Sequence, residues 1–183
     1  MSNIKTLVVH PKDASTDFLK PIYEGISNKT VISKGNKLKV MDLIEAHDRI
    51  LMMGHGSPNG LFAMSSFISG SAYIIDNSIA PLLKNKTNVF IWCNADKFVE
   101  RNELKGFYSG MFVSEVGEAN FCGLKTDQQE VNESNCSFSI ALAKVIEESI
   151  DDMHKSVEEL YSIVAQKNIV AQYNLERLYK RGQ

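Results

Sequence analysis

Four short apolar runs divide the first half of the chain. Residues 4–10 carry Leu7, Val8 and Val9 and close at His10 and Pro11; residues 30–33 carry Val31 and Ile32. Ile50, Leu51, Met52 and Met53 stop at Gly54-His55-Gly56, and Val89, Phe90, Ile91 and Trp92 stop at Cys93. Runs this short, without polar alternation and bounded by turn residues, predict strands buried on both faces of a parallel sheet. Between the first three runs the spacing changes to threes and fours. Phe18, Leu19, Ile22, Tyr23 and Ile26 share one helical face, capped by Ser15 or Thr16, and Val40, Leu43, Ile44 and His47 share another. The order βαβαβ predicts a doubly wound α/β fold, a mostly parallel sheet flanked by helices.

The stretch from His55 to Cys93 has parts of its own. Ser57-Pro58-Asn59-Gly60 is turn chemistry. Residues 61–64 and 72–75 predict two short strands around a Ser/Gly-rich loop, and Asp76 predicts the cap of a helix whose first turn accommodates Pro81. After Cys93, residues 97–105 fit a short helix or a loop at the site, residues 107–116 contain a further strand, and residues 117–135 read as irregular. From Ser137 the pattern is helical through Phe138, Leu142, Val145, Ile146, Ile150, Met153, Val157, Leu160 and Val164, with a last helix over 170–180. The chain therefore reads as one domain over residues 1–183. Its sheet core is residues 1–136; residues 137–183 form a C-terminal helical extension, charged on one face, that either packs on the sheet's edge or offers a surface for a protein partner.

Composition narrows the class. The 183 residues are 44% hydrophobic and 23% charged, ordinary for a globular domain. A net charge of −2 gives no basic footprint for nucleic acid. No apolar stretch is long enough for a membrane span. Asp13 and Asp17 interrupt any leader-like N-terminus, and three cysteines without pairing motifs predict free thiols, so a cytoplasmic location is expected.

The chemistry concentrates at His55 and Cys93. In open α/β sheets, sites form beyond the carboxyl ends of the strands, and both residues stand there. An imidazole beside a thiol is the pairing a cysteine nucleophile requires. Cys122 and Cys136 follow no buried run. His10 reads as a capping residue, His47 as packing and His154 as exposed on a helix. A zinc site from His47, His55 and Cys93 has no paired-ligand spacing behind it. Gly54-His55-Gly56-Ser57 continues into a hairpin rather than a helix N-terminus, so it lacks phosphate-loop geometry.

His55-Gly56-Ser57-Pro58-Asn59-Gly60-Leu61 and Asn88-Val89-Phe90-Ile91-Trp92-Cys93 together resemble two motifs of the caspase, legumain and gingipain superfamily of cysteine peptidases, including the bacterial caspase-like CHAT domains. The first is similar to that family's His-Gly turn and hairpin, the second to the strand ending in its nucleophile. The resemblance implies a caspase-like fold and a cysteine endopeptidase acting on a protein or peptide substrate with no cofactor and no metal. It implies Cys93 as nucleophile, His55 as base, an oxyanion hole from the backbone N–H groups of Gly56 and Cys93, and a substrate pocket drawn from Ile91, Ser114, Glu115 and Glu118. Glu118 would favour a basic side chain. The sequence departs from the family at Trp92, where a small residue is usual, at Ile91, often polar, and at Asn94-Ala95-Asp96, where a glycine commonly follows. These departures motivate an alternative, a catalytically inactive caspase-like module that binds a protein or peptide. A third reading is a flavodoxin-like nucleotide or signalling module.

Overall fold

The computed structural model describes residues 4–63 and 73–182. A central sheet runs through it. Its parallel strands are β1 (Thr6–Val9), β2 (Lys29–Ile32), β3 (Arg49–Met53), then, after the hairpin strands β4 (Gly56–Ser57), β5 (Gly60–Phe62) and β6 (Tyr73–Ile75), β7 (Thr87–Ile91) and β8 (Gly106–Ser109). The final strand, β9 (Leu178–Arg181), pairs antiparallel with β8 and completes the spatial order β2-β1-β3-β7-β8-β9. The parallel strands thus take the doubly wound order 2-1-3-4-5, with the turn in direction at β1 and β3.

The strands form where the apolar runs predict. The fully buried patterns of β1, β3 and most of β7 arise because both sheet faces are covered. One face, carrying Val8, Leu51, Met53, Val89, Ile91 and Phe107, packs under the 3-10 segment Ala14–Leu19, α1 (Pro21–Glu24), and two long helices over Gln128–Val145 and Ile150–Ala165. The other face, carrying Leu7, Val9, Ile50, Met52, Phe90 and Trp92, is covered by α2 (Lys37–Glu45), α3 (Ala80–Leu83), α4 (Ala95–Arg101) and the small antiparallel sheet β4-β5-β6.

Several expectations are corrected. Asp13, not Ser15 or Thr16, caps the first helical segment, which is a 3-10 helix followed by one α-turn started by Pro21. Asp76 accepts hydrogen bonds from Ser78 in a turn, three residues before the N-cap Ile79. The predicted hairpin strands are present as β5 and β6; Met64, Ala72 and the intervening loop lie outside the described residues. Residues 117–135 are not irregular. They hold α5 (Val116–Phe121) and the first turns of α6 (Gln128–Val145), which is followed by α7 (Ile150–Ala165) and α8 (Ile169–Leu175). The C-terminus is not a helical appendage, because β9 is a strand of the central sheet. His154 is not exposed: its ring packs edge-on to Phe107 and its Nε2 meets the Leu178 carbonyl at 3.1 Å, tying α7 to β9.

Candidate active site

His55 and Cys93 are aligned by the sheet itself. In the β3–β7 ladder Arg49 pairs with Thr87 and Met53 with Ile91, an offset of 38 residues, and Gly54 N–H continues the ladder to the Ile91 carbonyl at 3.0 Å. His55 and Cys93 are also 38 apart, so they stand at matched positions just beyond neighbouring strand ends. Side chains alternate along a strand. Leu51 and Met53 point to the helix face holding α1 and α6, as do Val89 and Ile91, and the same parity carries His55 and Cys93. Both line one narrow cleft, with Phe18, Ile91, Phe112 and Ser114 among its walls.

Each departure from the family's wording has a structural counterpart. Trp92 is buried on the opposite face from Cys93, packed against Phe90 and Phe98, and its Nε1–H donates to the Ser57 carbonyl at 3.1 Å. A Cβ on Gly56 would lie 2.3 Å from a Trp92 ring carbon, so the glycine lets the His55 turn rest directly on the indole. Trp92 thus clamps the histidine turn to the cysteine strand. Asn94 adopts φ 64°, ψ 34°, the left-handed conformation that a glycine would supply, and asparagine tolerates it better than most residues. Ile91 is 2% exposed and forms the cleft floor.

His55 is held from the end of β1. Its Nε2 lies 2.7 Å from Ser15 Oγ, which donates to Asp13 Oδ1 at 2.8 Å; Ser15 N–H donates to the same oxygen at 3.0 Å. Because the single hydroxyl proton goes to the carboxylate, Ser15 Oγ accepts from His55 Nε2–H. That arrangement leaves Nδ1 as the ring's proton acceptor. Bonds from Ser15 and the nearby imidazole hold Asp13 below the usual carboxylate range despite its partial burial.

Cys93 is gripped from the other side. Its thiol donates to the Phe112 carbonyl at 3.2 Å and meets Glu118 Oε1 at 3.6 Å. Burial first, and the Glu118 carboxylate second, push the thiol up to about 12. The second oxygen of Glu118 accepts from Ser114 N–H and Oγ–H at 2.8 and 3.0 Å. Segment 112–114 is itself pinned by the C-terminal half: Asn174 on α8 bonds both the N–H and the carbonyl of Val113 at 2.8 Å, and Asn135 on α6 donates to the Ser114 carbonyl at 2.9 Å.

The structure thus brings His55, Cys93, Ile91 and Ser114 to one cleft, with Glu118 bonded to Cys93 and Ser114 beside it; Gly56 does not line that cleft and rests on the Trp92 ring. Glu115 is set apart: it is exposed and lines a neighbouring wider cleft with Ser15, Gln128 and Asn132. Sequence reasoning missed Asp13, Ser15, the Phe112 carbonyl and Asn174. Asp13 and Ser15 carried a signal, since they follow the first predicted strand end and form an Asx turn there. His10 is a structural residue, 4% exposed, with its ring nitrogens at 3.0 Å from Tyr23 Oη and 3.1 Å from Thr16 Oγ1. His47 bonds the Leu43 carbonyl and Thr30 away from the site. Among the described residues, no group of three or more His, Cys, Asp or Glu is placed to hold a metal ion, and no helix is long and apolar enough to cross a membrane.

No family model matches the sequence, and no curated protein does. Among solved structures, the chain is similar to an NADPH-quinone reductase from P. pentosaceus, at 16% identity and a TM-score of 0.35, over 74% of this chain and 98% of that one. It is also similar to the Salmonella typhimurium RcsB response regulator, at 10% identity and a TM-score of 0.36, over 96% and 99% of the two chains. At these scores neither likeness carries an argument. The fold class, a mostly parallel α/β sheet flanked by helices, rests on the strand order described above.

Proposed function

We propose that this chain is a caspase-like cysteine endopeptidase whose nucleophile is latent in the conformation described. The observation that carries the reading is the zero stagger of His55 and Cys93 at the ends of adjacent parallel strands, both lining one cleft. The His-Gly hairpin, the Trp92 clamp and the left-handed turn at Asn94 support it.

The reaction follows from general thiol chemistry. The Cys93 S–H bond breaks and its proton passes to the neutral imidazole of His55. The thiolate attacks a peptide carbonyl, forming a C–S bond and an oxyanion, for which the backbone N–H groups of Gly56 and Cys93 are the proposed donors. The C–N bond breaks as the imidazolium returns the proton to the leaving amine, and water then hydrolyses the thioester. Ser15 and Asp13 would hold the ring and stabilise its charged form, the role of the orienting third group in such dyads.

A second reading, an inactive caspase-like module that binds a protein or peptide, is favoured by one observation: Cys93 Sγ faces two acceptors, the Phe112 carbonyl at 3.2 Å and Glu118 Oε1 at 3.6 Å, which favour the thiol over the thiolate. A nucleotide-binding module has less support. The Ser15 N–H, in the 3-10 segment that follows β1, is occupied by the Asp13 carboxylate.

The discriminating experiment compares native protein, Cys93→Ala and His55→Ala on a mixed library of extended peptides, followed by mass spectrometry. Cleavage by native protein, lost in both variants with unchanged melting curves, is expected. Equal cleavage by Cys93→Ala would reject the nucleophile, and peptide capture without cleavage would favour the binding module.

A further inference from the structure

The narrow cleft that His55 and Cys93 line has a volume of about 10 Å³, room for about one water and too little for a peptide. The wider cleft beside it has a volume of about 490 Å³, within the range of roughly 300–1,000 Å³ usual for binding sites. Phe18 and Ser114 line both, and Ser15, on the wall of the wider one, lies 2.7 Å from His55 Nε2. The opposite wall is α6. Two exposed amides, Gln128 and Asn132, stand there one helical turn apart, and Gln128 Nε2 donates to Asn132 Oδ1 at 2.9 Å. That bond leaves Gln128 Oε1 as an acceptor and Asn132 Nδ2 as a donor. Among the described residues that line the wider cleft none is a lysine or arginine, and Glu115 alone is charged, so the cleft offers no cation to a phosphate or a carboxylate.

The segment next to Cys93 has no N–H groups to spare for a substrate strand. The Val113 N–H is taken by Asn174 and the Ser114 N–H by Glu118. The same segment shows how an amide side chain holds main chain: Asn174 accepts from the Val113 N–H through Oδ1 and donates to the Val113 carbonyl through Nδ2, both at 2.8 Å. An extended residue turns its own N–H and C=O to one side, and the Gln128–Asn132 pair offers the matching acceptor and donor. We propose that the wider cleft is a main-chain site. In it Gln128 Oε1 accepts from an N–H of an extended polypeptide, Asn132 Nδ2 donates to a carbonyl, and the chain is carried past Ser15 to the dyad. Recognition then reads backbone rather than side chains. The substrate class is an extended or unfolded segment of little sequence preference; backbone already paired within a folded protein would be refused.

The inference rests on the peptidase reading for its substrate, but its test needs no turnover. The full chain, labelled with nitrogen-15, is titrated with acetyl-tetraglycine dimethylamide, a peptide of main chain without side chains. The side-chain amide signals of Gln128 and Asn132 are expected to shift and to saturate. Acetyl-tetrasarcosine dimethylamide, the same chain with each N–H replaced by N-methyl, is expected to move neither. In the double variant Gln128→Ala, Asn132→Ala, followed on the backbone amides of Ser15 and Ser114, affinity for the glycine peptide should fall about tenfold, the worth of two such hydrogen bonds. Both side chains are exposed and the Asp127 cap of α6 is untouched. Should the double variant fail to melt cooperatively, Asn132→Asp keeps the acceptor for Gln128, removes the donor, and is expected to weaken binding in the same direction. Equal responses to the two peptides, no response to either, or undiminished affinity in the variants would overturn the main-chain site even if peptide cleavage were found. Saturable binding of the glycine peptide alone, without cleavage of any peptide, would leave the site standing and remove the peptidase.

Discussion

His10 and His55 end neighbouring strands, and their surroundings give them opposite chemistry. His55 lines a cleft and has one ring nitrogen committed to Ser15. His10 is enclosed, with both nitrogens bonded, and burial lowers its pKa to about 4; Asp17 and Asp13 favour its charged form, while Lys20 opposes it. In the unfolded chain a histidine titrates near 6.5. Between these values the unfolded state binds more protons than the folded one. The stability from neutral His10 is therefore complete above about pH 6.5 and declines as pH falls toward 4. The expected loss is roughly 3 kcal/mol over that window. Urea unfolding at pH 7 and pH 5 should show this decline in native protein and a shallower one in His10→Gln; equal slopes would remove His10 as the cause.

At the level of elements, the cysteine strand and the histidine turn meet through Trp92. Arg101 on α4 adds a second tie, donating to Asn59 Oδ1 and the Pro58 carbonyl at 3.0 Å each. Trp92→Phe keeps a ring against Phe90 and Phe98 but leaves the Ser57 carbonyl unpaired and opens space beneath Gly56. A destabilisation of about 2–3 kcal/mol is expected from chemical denaturation. Any peptide cleavage should fall further than the unfolded fraction explains, because the turn that carries His55 would loosen. A purely proportional fall would assign Trp92 to packing alone. The elements of the sheet were legible in the sequence because strands buried on both faces are written as continuous apolar runs. The start of α6 was not. Gln128, Asn132, Asn135 and Ser139 form a polar stripe along it, facing the wider cleft, and this masks the apolar spacing of Val131, Phe138 and Leu142. Asp127 and Glu130 did carry a signal: the Asp127 side chain accepts from the Glu130 N–H, a cap visible in the spacing. Trp92 and Asn94 read as departures from a pattern because their compensations, a glycine under an indole and a left-handed turn, exist only in three dimensions.

For the molecule as a whole, the C-terminus belongs to the sheet and to the site. β9 covers the β8 edge, buries Leu178, and follows Arg177, whose carbonyl accepts from Gly110 N–H at 2.7 Å. Beyond Leu178 the strand is exposed and carries Lys180 and Arg181, charges that discourage further pairing at a sheet edge. Truncation after Glu176 removes that cover. A loss on the order of 4 kcal/mol is expected from the ladder bonds and the Leu178 side chain together. Concentration-dependent association through the bared β8 edge should also appear in light scattering; a truncated chain that stays monomeric with an unchanged melt would refute this role. A weak edge strand with one buried residue has no periodic signature, so β9 could not be told from a helix end in the sequence. The alignment of His55 with Cys93 has a consequence for the history of such chains. Residues gained or lost between β3 and β7 change the strand offset and the His–Cys separation by the same amount, so the hairpin region can lengthen or shrink while the two side chains stay abreast. What descent must preserve is the absence of stagger, not the number 38, and relatives of this protein would differ freely in the distance between their histidine and their cysteine.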